Sequence, residues 1–164
     1  MRSRPNAQRK IASVLALARA VERSQARGLK VVLTNGCFDL LHAGHVALLE
    51  RARRLGDVLI VALNSDRSVR ALKGPGRPIT PAGDRARLIA ALESVDHVVM
   101  FNEATPARLV ARLKPDVLVK GADWAAAAIA GGDSVSRRGG RVVRVPLLKG
   151  YSTSRLIERI RRRK

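Results

Sequence analysis

Five short runs of nearly unbroken apolar residues, each followed by a helix-like stretch, set the strongest limit on what this chain can fold into. KVVL occupies 30–33, DVLIVALN 57–64, HVVMF 97–101, DVLVKG 116–121 and RVVRVPLL 141–148. Their apolar residues are continuous rather than alternating, the pattern of strands covered on both faces. With helices between them, the expected fold is Rossmann-like α/β: an open, mostly parallel five-stranded sheet with helices on both faces. A chain of 164 residues suits one such core, and residues 30–164 are assigned to it. Hydrophobic residues make up 46% of the chain but aromatic ones only 2%, so Leu, Val, Ile and Ala must build that core.

The connecting segments carry helix signals. HVALLERARRLG, at 45–56, places Leu48, Ala52 and Leu55 on one face and stops at Gly56. Ser65 or Asp66 is expected to cap a short helix over SDRSVRAL. KGPGRP, at 73–78, reads as a loop. Thr80-Pro81 and Thr105-Pro106 each read as a cap followed by proline at the first helical position. Ser152, Thr153 or Ser154 is expected to cap a final helix, RLIERIRRRK. Residues 1–29 open with a basic stretch and a short apolar run. Arg19 interrupts that run, and Ile11, Leu15, Ala18 and Glu22 follow helical spacing. An amphipathic helix packed on the domain is therefore expected there rather than a targeting segment. No apolar run approaches about 18 residues, so no membrane span is expected. Cys37 is the only cysteine. It permits no intrachain disulfide and suits a reducing compartment such as the cytoplasm.

In open parallel sheets, ligands bind beyond the carboxyl ends of the strands. Those ends read Thr34-Asn35-Gly36, Asn64-Ser65-Asp66, Lys120-Gly121-Ala122-Asp123 and Lys149-Gly150-Tyr151-Ser152. Such small, polar and basic groups suit an anion. The first end runs on into His42-Ala43-Gly44-His45. If Gly44 and His45 open a helix, its backbone N–H groups and dipole favour a phosphate, and Gly44 lets it come close. Two imidazoles can then donate to oxygens that gain charge in a transition state. Zinc is disfavoured: the chain has three His, and His97 sits on another strand. A structural turn in which both His satisfy backbone groups is the other reading of the spacing. The formal net charge of +19 suits phosphorylated small molecules as well as nucleic acid. Dispersed basic residues and scarce aromatic platforms argue against nucleic acid.

The stretch TNGCFDLLHAGHVALL, with Phe38-Asp39 ahead of HxGH, resembles the nucleotidyltransferase superfamily that carries this motif. Tyr151-Ser152-Thr153-Ser154 matches that superfamily's Ser/Thr-rich helix start, while Ile157 stands where Arg is often found, with Arg155 and Arg159 nearby. LTNGCFDLLHAGHVALLERAR, the ALKGPGRPITPAGDRARLIAALESVDHVVMF region, PDVLVKGADW and GGRVVRVPLLKGYSTSRLIERI are similar to the heptose 1-phosphate adenylyltransferase branch. That branch often accompanies a kinase half, and the resemblance implies a stand-alone form here. It implies transfer of the adenylyl group of ATP to D-glycero-β-D-manno-heptose 1-phosphate, giving ADP-heptose and pyrophosphate for the lipopolysaccharide inner core. The rivals are a glycerol-phosphate cytidylyltransferase, a cofactor adenylyltransferase and, from another class, a basic nucleic-acid-binding protein.

The resemblance implies Mg²⁺ bound mainly through ATP phosphates rather than by protein side chains, and a homo-oligomer such as a dimer. It implies catalytic roles for His42, His45 and Lys73. Thr34, Asn35, Gly36, Phe38, Gly44, Lys120, Gly121, Ser152, Thr153 and Ser154 would join the two His in binding nucleotide. Asp39, Asn64, Asp66, Lys73, Arg85, Asp123 and Trp124 would meet the sugar phosphate. Three of these have plain structural alternatives: Lys73 as a solvated loop residue, Arg85 on a helix surface, and Trp124 in the core.

Overall fold

The apolar runs form one sheet in the computed structural model, which describes residues 7–125 and 128–162. The strands are β1 (Val31–Gly36), β2 (Val58–Asn64), β3 (His97–Phe101), β4 (Val117–Gly121) and β5 (Arg141–Val145). They pair in the order β3-β2-β1-β4-β5. Every pairing is parallel, with Val31 opposite Val58 and Val32 opposite Val117. The chain winds outward from β1 to β3, then crosses back to β4, so the order reverses between β1 and β4. That reversal opens a crevice at the carboxyl edge of the sheet.

Adjacent residues of each strand enter different layers. Val31 and Leu33 join Ile60, Ala62 and Leu118 on one face. There they meet Leu17, Ala18 and Val21 of α2 (Val14–Ala26) and Leu109, Val110 and Leu113 of α6 (Ala107–Leu113). Val32 joins Leu59, Val61 and Leu63 on the other face. Leu49 and Ala52 of α3 (Ala43–Arg53) cover it with Ala86, Ile89 and Ala90 of α5 (Ala82–Ala91). Burying each large aliphatic side chain contributes about 1.5–3 kcal/mol. The inner strands β2, β1 and β4 are covered on both faces, which is why they carry no alternation.

The two edges of the sheet differ in chemistry. At the amino edge, aspartates that precede strands tie neighbours together: Asp116 accepts from the Val31 N–H at 2.7 Å, and Asp96 from the Leu59 N–H at 2.7 Å. Asp57 accepts from the Lys30 N–H at 2.8 Å. Among the described residues no such aspartate clamp closes the carboxyl edge, which is left to the polar strand ends.

Boundaries moved where backbone chemistry overrode pattern. β5 stops at Val145 because Pro146 has no N–H to continue the ladder. The expected strand residues Leu147 and Leu148 turn outward, 43% and 38% exposed. Thr80 and Thr105 do not cap helices: Pro81 and Pro106 occupy the cap positions, without a side-chain cap. Ser65 caps α4 (Asp66–Lys73), accepting from the Ser68 N–H. The N-terminal region is broken into α1 (Ala7–Lys10) and α2, whose cap is Ser13. Between them the Ala12 N–H donates to the Val98 carbonyl at 2.9 Å, so this segment covers the outer edge of β3. Residues 1–6 of that region lie outside the described residues, as do 163–164 of the basic C-terminal cluster. A short helix, α7 (Gly132–Ser136), has no counterpart in the sequence pattern, because five residues carry too little periodicity. The last helix is α8 (Thr153–Arg161).

Candidate active site

The glycine after β1 and the turn it feeds explain the corner that opens the crevice. Phe38 takes a left-handed backbone, φ +46°, costly for a side chain this large. The turn folds its ring back under Gly36, where an added Cβ would sit 2.9 Å from Phe38 Cε2. The ring is buried and lies 4.9 Å from the His45 ring, tilted by 59°.

α3 starts two residues earlier than the pattern suggested, because His42 is itself the cap. Its Nδ1 accepts from the His45 N–H at 3.3 Å. In a neutral ring this leaves the proton on Nε2, a donor free for a ligand. The two imidazoles stack at 3.7 Å, 16° from parallel. Burial lowers the pKa of both; for His45, with His42 adding a smaller push, it falls to about 4. Both are therefore neutral at pH 7 and able to donate without carrying charge. Among the described residues, His45 Nδ1 and Asn35 Oδ1 are buried with no hydrogen-bond partner, and such atoms call for an explanation, a ligand being one.

The crevice is a cleft of about 650 Å³. It gathers Thr34, Asn35, Gly36, Phe38, Asp39, His42, Gly44 and His45 from the β1–α3 corner. Asn64 joins from β2, Lys73 from the end of α4, and Lys120, Gly121, Asp123 and Trp124 from the end of β4. Ser152, Thr153 and Ser154 join from the start of α8, where Ser152 Oγ caps the Arg155 N–H at 3.2 Å. Trp124 is 46% exposed, so it belongs to the cleft wall and not to the core. Lys120 Nζ lies 4.7 Å from the Trp124 ring centre and donates to the Asn35 carbonyl at 3.3 Å. Burial pushes the Lys120 ammonium down, with Asp123 pulling it back up.

Two expected ligand residues are not in the cleft lining. Arg85 is fully buried, and its guanidinium is taken up by the protein. It donates to the carbonyls of Thr80 (2.8 Å), Cys37 (2.6 Å) and Asn64 (2.9 Å) and to Asp66 Oδ1 (2.7 Å). Arg85 and Asp66 thus staple the β1 turn, β2 and α5 together behind the site. Others reach the cleft with side chains already engaged. Thr34 Oγ1 donates to the Val119 carbonyl at 3.0 Å, and Asn64 Nδ2 to Ser68 Oγ at 2.9 Å. Asp39 is buried and accepts from the Ile79 and Thr80 N–H groups and from Arg77 Nε. It fastens the Gly/Pro loop to the β1 turn.

The cleft also contains residues outside the expected ligand set. Arg77, Leu147, Leu148 and Tyr151 line it. Arg155 and Arg159 do not: with Glu158 and Arg162 they border a separate shallow groove along α8. Among the described residues, the Lys and Arg side chains lining the cleft are Lys73, Arg77 and Lys120.

A family model described as cytidylyltransferase-like matches residues 33–159, the span from β1 to α8 that builds this cleft. The chain belongs to that family. Among cytidylyltransferase-like relatives, the bifunctional protein HldE of Citrifermentans bemidjiense is 51% identical over 151 residues, 92% of this chain and 31% of the relative. That of Alkalilimnicola ehrlichii is 58% identical over 144 residues, 88% of this chain and 30% of the relative. The chain spans about a third of the length of these curated relatives. A crystal structure of a lipopolysaccharide core biosynthesis protein from Thermoplasma volcanium superposes with a TM-score of 0.65 at 28% identity, over 74% of this chain and all of that one. This membership makes the chain a nucleotidyltransferase, and the HxGH corner is the family motif seen in place.

Proposed function

We propose that this chain transfers the adenylyl group of ATP to D-glycero-β-D-manno-heptose 1-phosphate, releasing pyrophosphate and forming ADP-heptose. The observation that carries nucleotidyl transfer is the meeting, in one cleft, of two capped helix N-termini with a stacked pair of neutral imidazoles. The choice of heptose 1-phosphate rests on the likeness to HldE proteins along nearly the whole chain.

A sugar-phosphate oxygen attacks the α-phosphorus of ATP in line. The new P–O bond forms as the bond to the β-phosphate oxygen breaks, and pyrophosphate leaves. The nucleophile is already an anion, so no strong base is required. The protein must hold two anions together and stabilise the charge that spreads over the phosphates. The amides at the α3 and α8 starts point at the triphosphate. Neutral His42 and His45 donate to oxygens that gain charge. Lys73 approaches from the loop side and Lys120 from β4. Asn35, whose backbone carbonyl accepts from Lys120, keeps its side-chain acceptor Oδ1 for the nucleotide.

Of the cleft carboxylates, Asp39 is engaged by the Gly/Pro loop, which leaves Asp123. Among the described residues no three His, Cys or carboxylate groups gather as a metal site. A Mg²⁺ arriving on the triphosphate would be held chiefly by phosphate oxygens, and Asp123 is the cleft carboxylate that would be left to meet it. Bound there, the ion supplies charge neutralisation. The reading places the reaction in the cytoplasm, where ATP is at hand, and extends to a homo-oligomer. Among the described residues no helix is long and apolar enough to cross a membrane.

The test is pyrophosphate release with each nucleoside triphosphate against heptose 1-phosphate, glycerol 3-phosphate and phosphopantetheine. Turnover confined to ATP with heptose 1-phosphate is expected. A preference for CTP with glycerol 3-phosphate would overturn the assignment.

A further inference from the structure

The loop KGPGRP holds an arginine that no strand end predicted, and its surroundings define what it can bind. Arg77 lines the cleft, and its side chain is only 18% exposed. Its Nε is bound to Asp39 Oδ2, on a carboxylate that is itself 1% exposed. The same carboxylate accepts from the Ile79 N–H at 2.8 Å and the Thr80 N–H at 3.0 Å. Backbone, carboxylate and guanidinium are thereby locked in one orientation. Nη1 and Nη2 have no hydrogen-bond partner among the described residues, and neither is sealed from solvent. A planar fork held by one nitrogen with its two terminal groups open is preorganised for a phosphate.

The charge around it points the same way. Asp39 offsets the Arg77 charge, and both of its oxygens already accept hydrogen bonds. Lys73 stands at the other end of the same loop and lines the same cleft. The two helix N-termini and both imidazoles lie at the β1–α3 corner and the start of α8. The loop follows α4 and is fastened by Asp39 to the β1 turn. Arg155 and Arg159, the basic residues nearest the family's C-terminal motif, are outside the lining.

Building on the transfer reading above, we propose that Arg77 is a substrate-binding residue that grips the acceptor's phosphate with Nη1 and Nη2, and that Asp39 is the positioning residue that aims it. Lys73 supplies the second positive charge to the same phosphate. The acceptor class is therefore a phosphomonoester whose phosphate must sit with a free oxygen towards the α-phosphorus of ATP.

Steady-state pyrophosphate release and calorimetric binding of heptose 1-phosphate test this in the wild type, Arg77→Ala, Arg77→Lys and Asp39→Asn. Loss of a bidentate, charge-assisted contact is expected to raise KM for heptose 1-phosphate roughly 10- to 100-fold in Arg77→Ala, with KM for ATP nearly unchanged. Arg77→Lys keeps a charge for Asp39 but no fork, so it folds and still loses acceptor affinity. Asp39→Asn keeps the shape and shifts the same KM by less. A wild type that turns over, with KM for heptose 1-phosphate unmoved in both Arg77 variants, overturns the assignment and leaves the transfer reading intact. A rise confined to KM for ATP overturns it too, by moving the fork onto the triphosphate. A wild type that binds heptose 1-phosphate in an Arg77-dependent way but releases no pyrophosphate sinks the transfer reading and keeps the fork. With neither binding nor turnover, both fall.

Discussion

α3 and α8 both begin at the cleft, and each is capped by the side chain just before it. His42 Nδ1 accepts from the His45 N–H at 3.3 Å, and Ser152 Oγ accepts from the Arg155 N–H at 3.2 Å. Behind the caps the helices differ. α3 carries Leu49 and Ala52 into the core at 0% exposure. α8 buries none of its residues, and Ile160 on its apolar stripe is 59% exposed. The first pole is held by packing and would keep its geometry with nothing bound. The second is held by its cap and by the loop before it, which places it among the least stable parts of the fold. On the proposed reading, the chemistry falls to a pole fixed by packing, and part of the nucleotide's phosphate binding to one that is lightly held.

Breaking the rigid pole should have the largest effect. His45→Ala removes a preorganised donor and is expected to lower kcat by roughly 10²–10³, with the fold intact. Turnover close to wild type, by pyrophosphate assay, would sink the role given to the pair.

The same pole should be visible in stability. Unfolded, His45 takes up a proton near pH 6.5; folded, it does so only near 4, because burial disfavours the charged ring. The stabilisation is complete above pH 6.5 and is lost as pH falls towards 4, to a limit of about 3 kcal/mol. His42 and His97 are shifted in the same direction by burial and add to the slope. Urea unfolding between pH 7.5 and 4.5 should therefore show a flatter pH dependence for His45→Gln than for the wild type. Parallel curves would mean that His45 titrates normally in the fold.

Gly44 is where the two poles touch. A Cβ there would lie 2.9 Å from Tyr151 Cβ and 3.0 Å from His42 Nδ1. Gly44→Ala must push the Tyr151 loop away from α3 or tilt the His42 ring. Overpacking of this kind costs about 1–3 kcal/mol. It should lower both the urea midpoint and kcat, whereas loss of stability alone would show the contact to be mere packing.

The legible part of this molecule was whatever repeats or is local. The inner strands could be read because both of their faces are covered, and the strand ends then led to the cleft. HAGH could be read as a helix start, though not that His42 would be the cap, since histidine is an unusual one. The two arginines mark where reading stopped. Arg77 and Arg85 are eight positions apart in a loop and the helix after it. Arg85 looked like a phosphate ligand and is buried among carbonyls of Thr80, Cys37 and Asn64. Arg77 carries no comparable local signal and faces the cleft. Which of them is enclosed depends on how segments 40 or more residues apart converge, as the Asp39 contacts to Ile79 and Thr80 do. No local pattern encodes that.

The smallest effect should come from the lightly held pole. Ser152→Ala removes the cap of α8, a change worth about 1 kcal/mol to a helix. Because α8 buries no residue, little of that reaches the global unfolding transition. The urea midpoint should stay nearly fixed, while fraying at the helix start moves amides away from the triphosphate. KM for ATP is therefore expected to rise several-fold, with kcat at saturating ATP close to wild type. Hydrogen exchange would locate the change in the first turn of α8, with α3 protected as before. If the urea midpoint falls as far as it does in Gly44→Ala, α8 is part of the cooperative core after all, and the contrast between the two poles is lost.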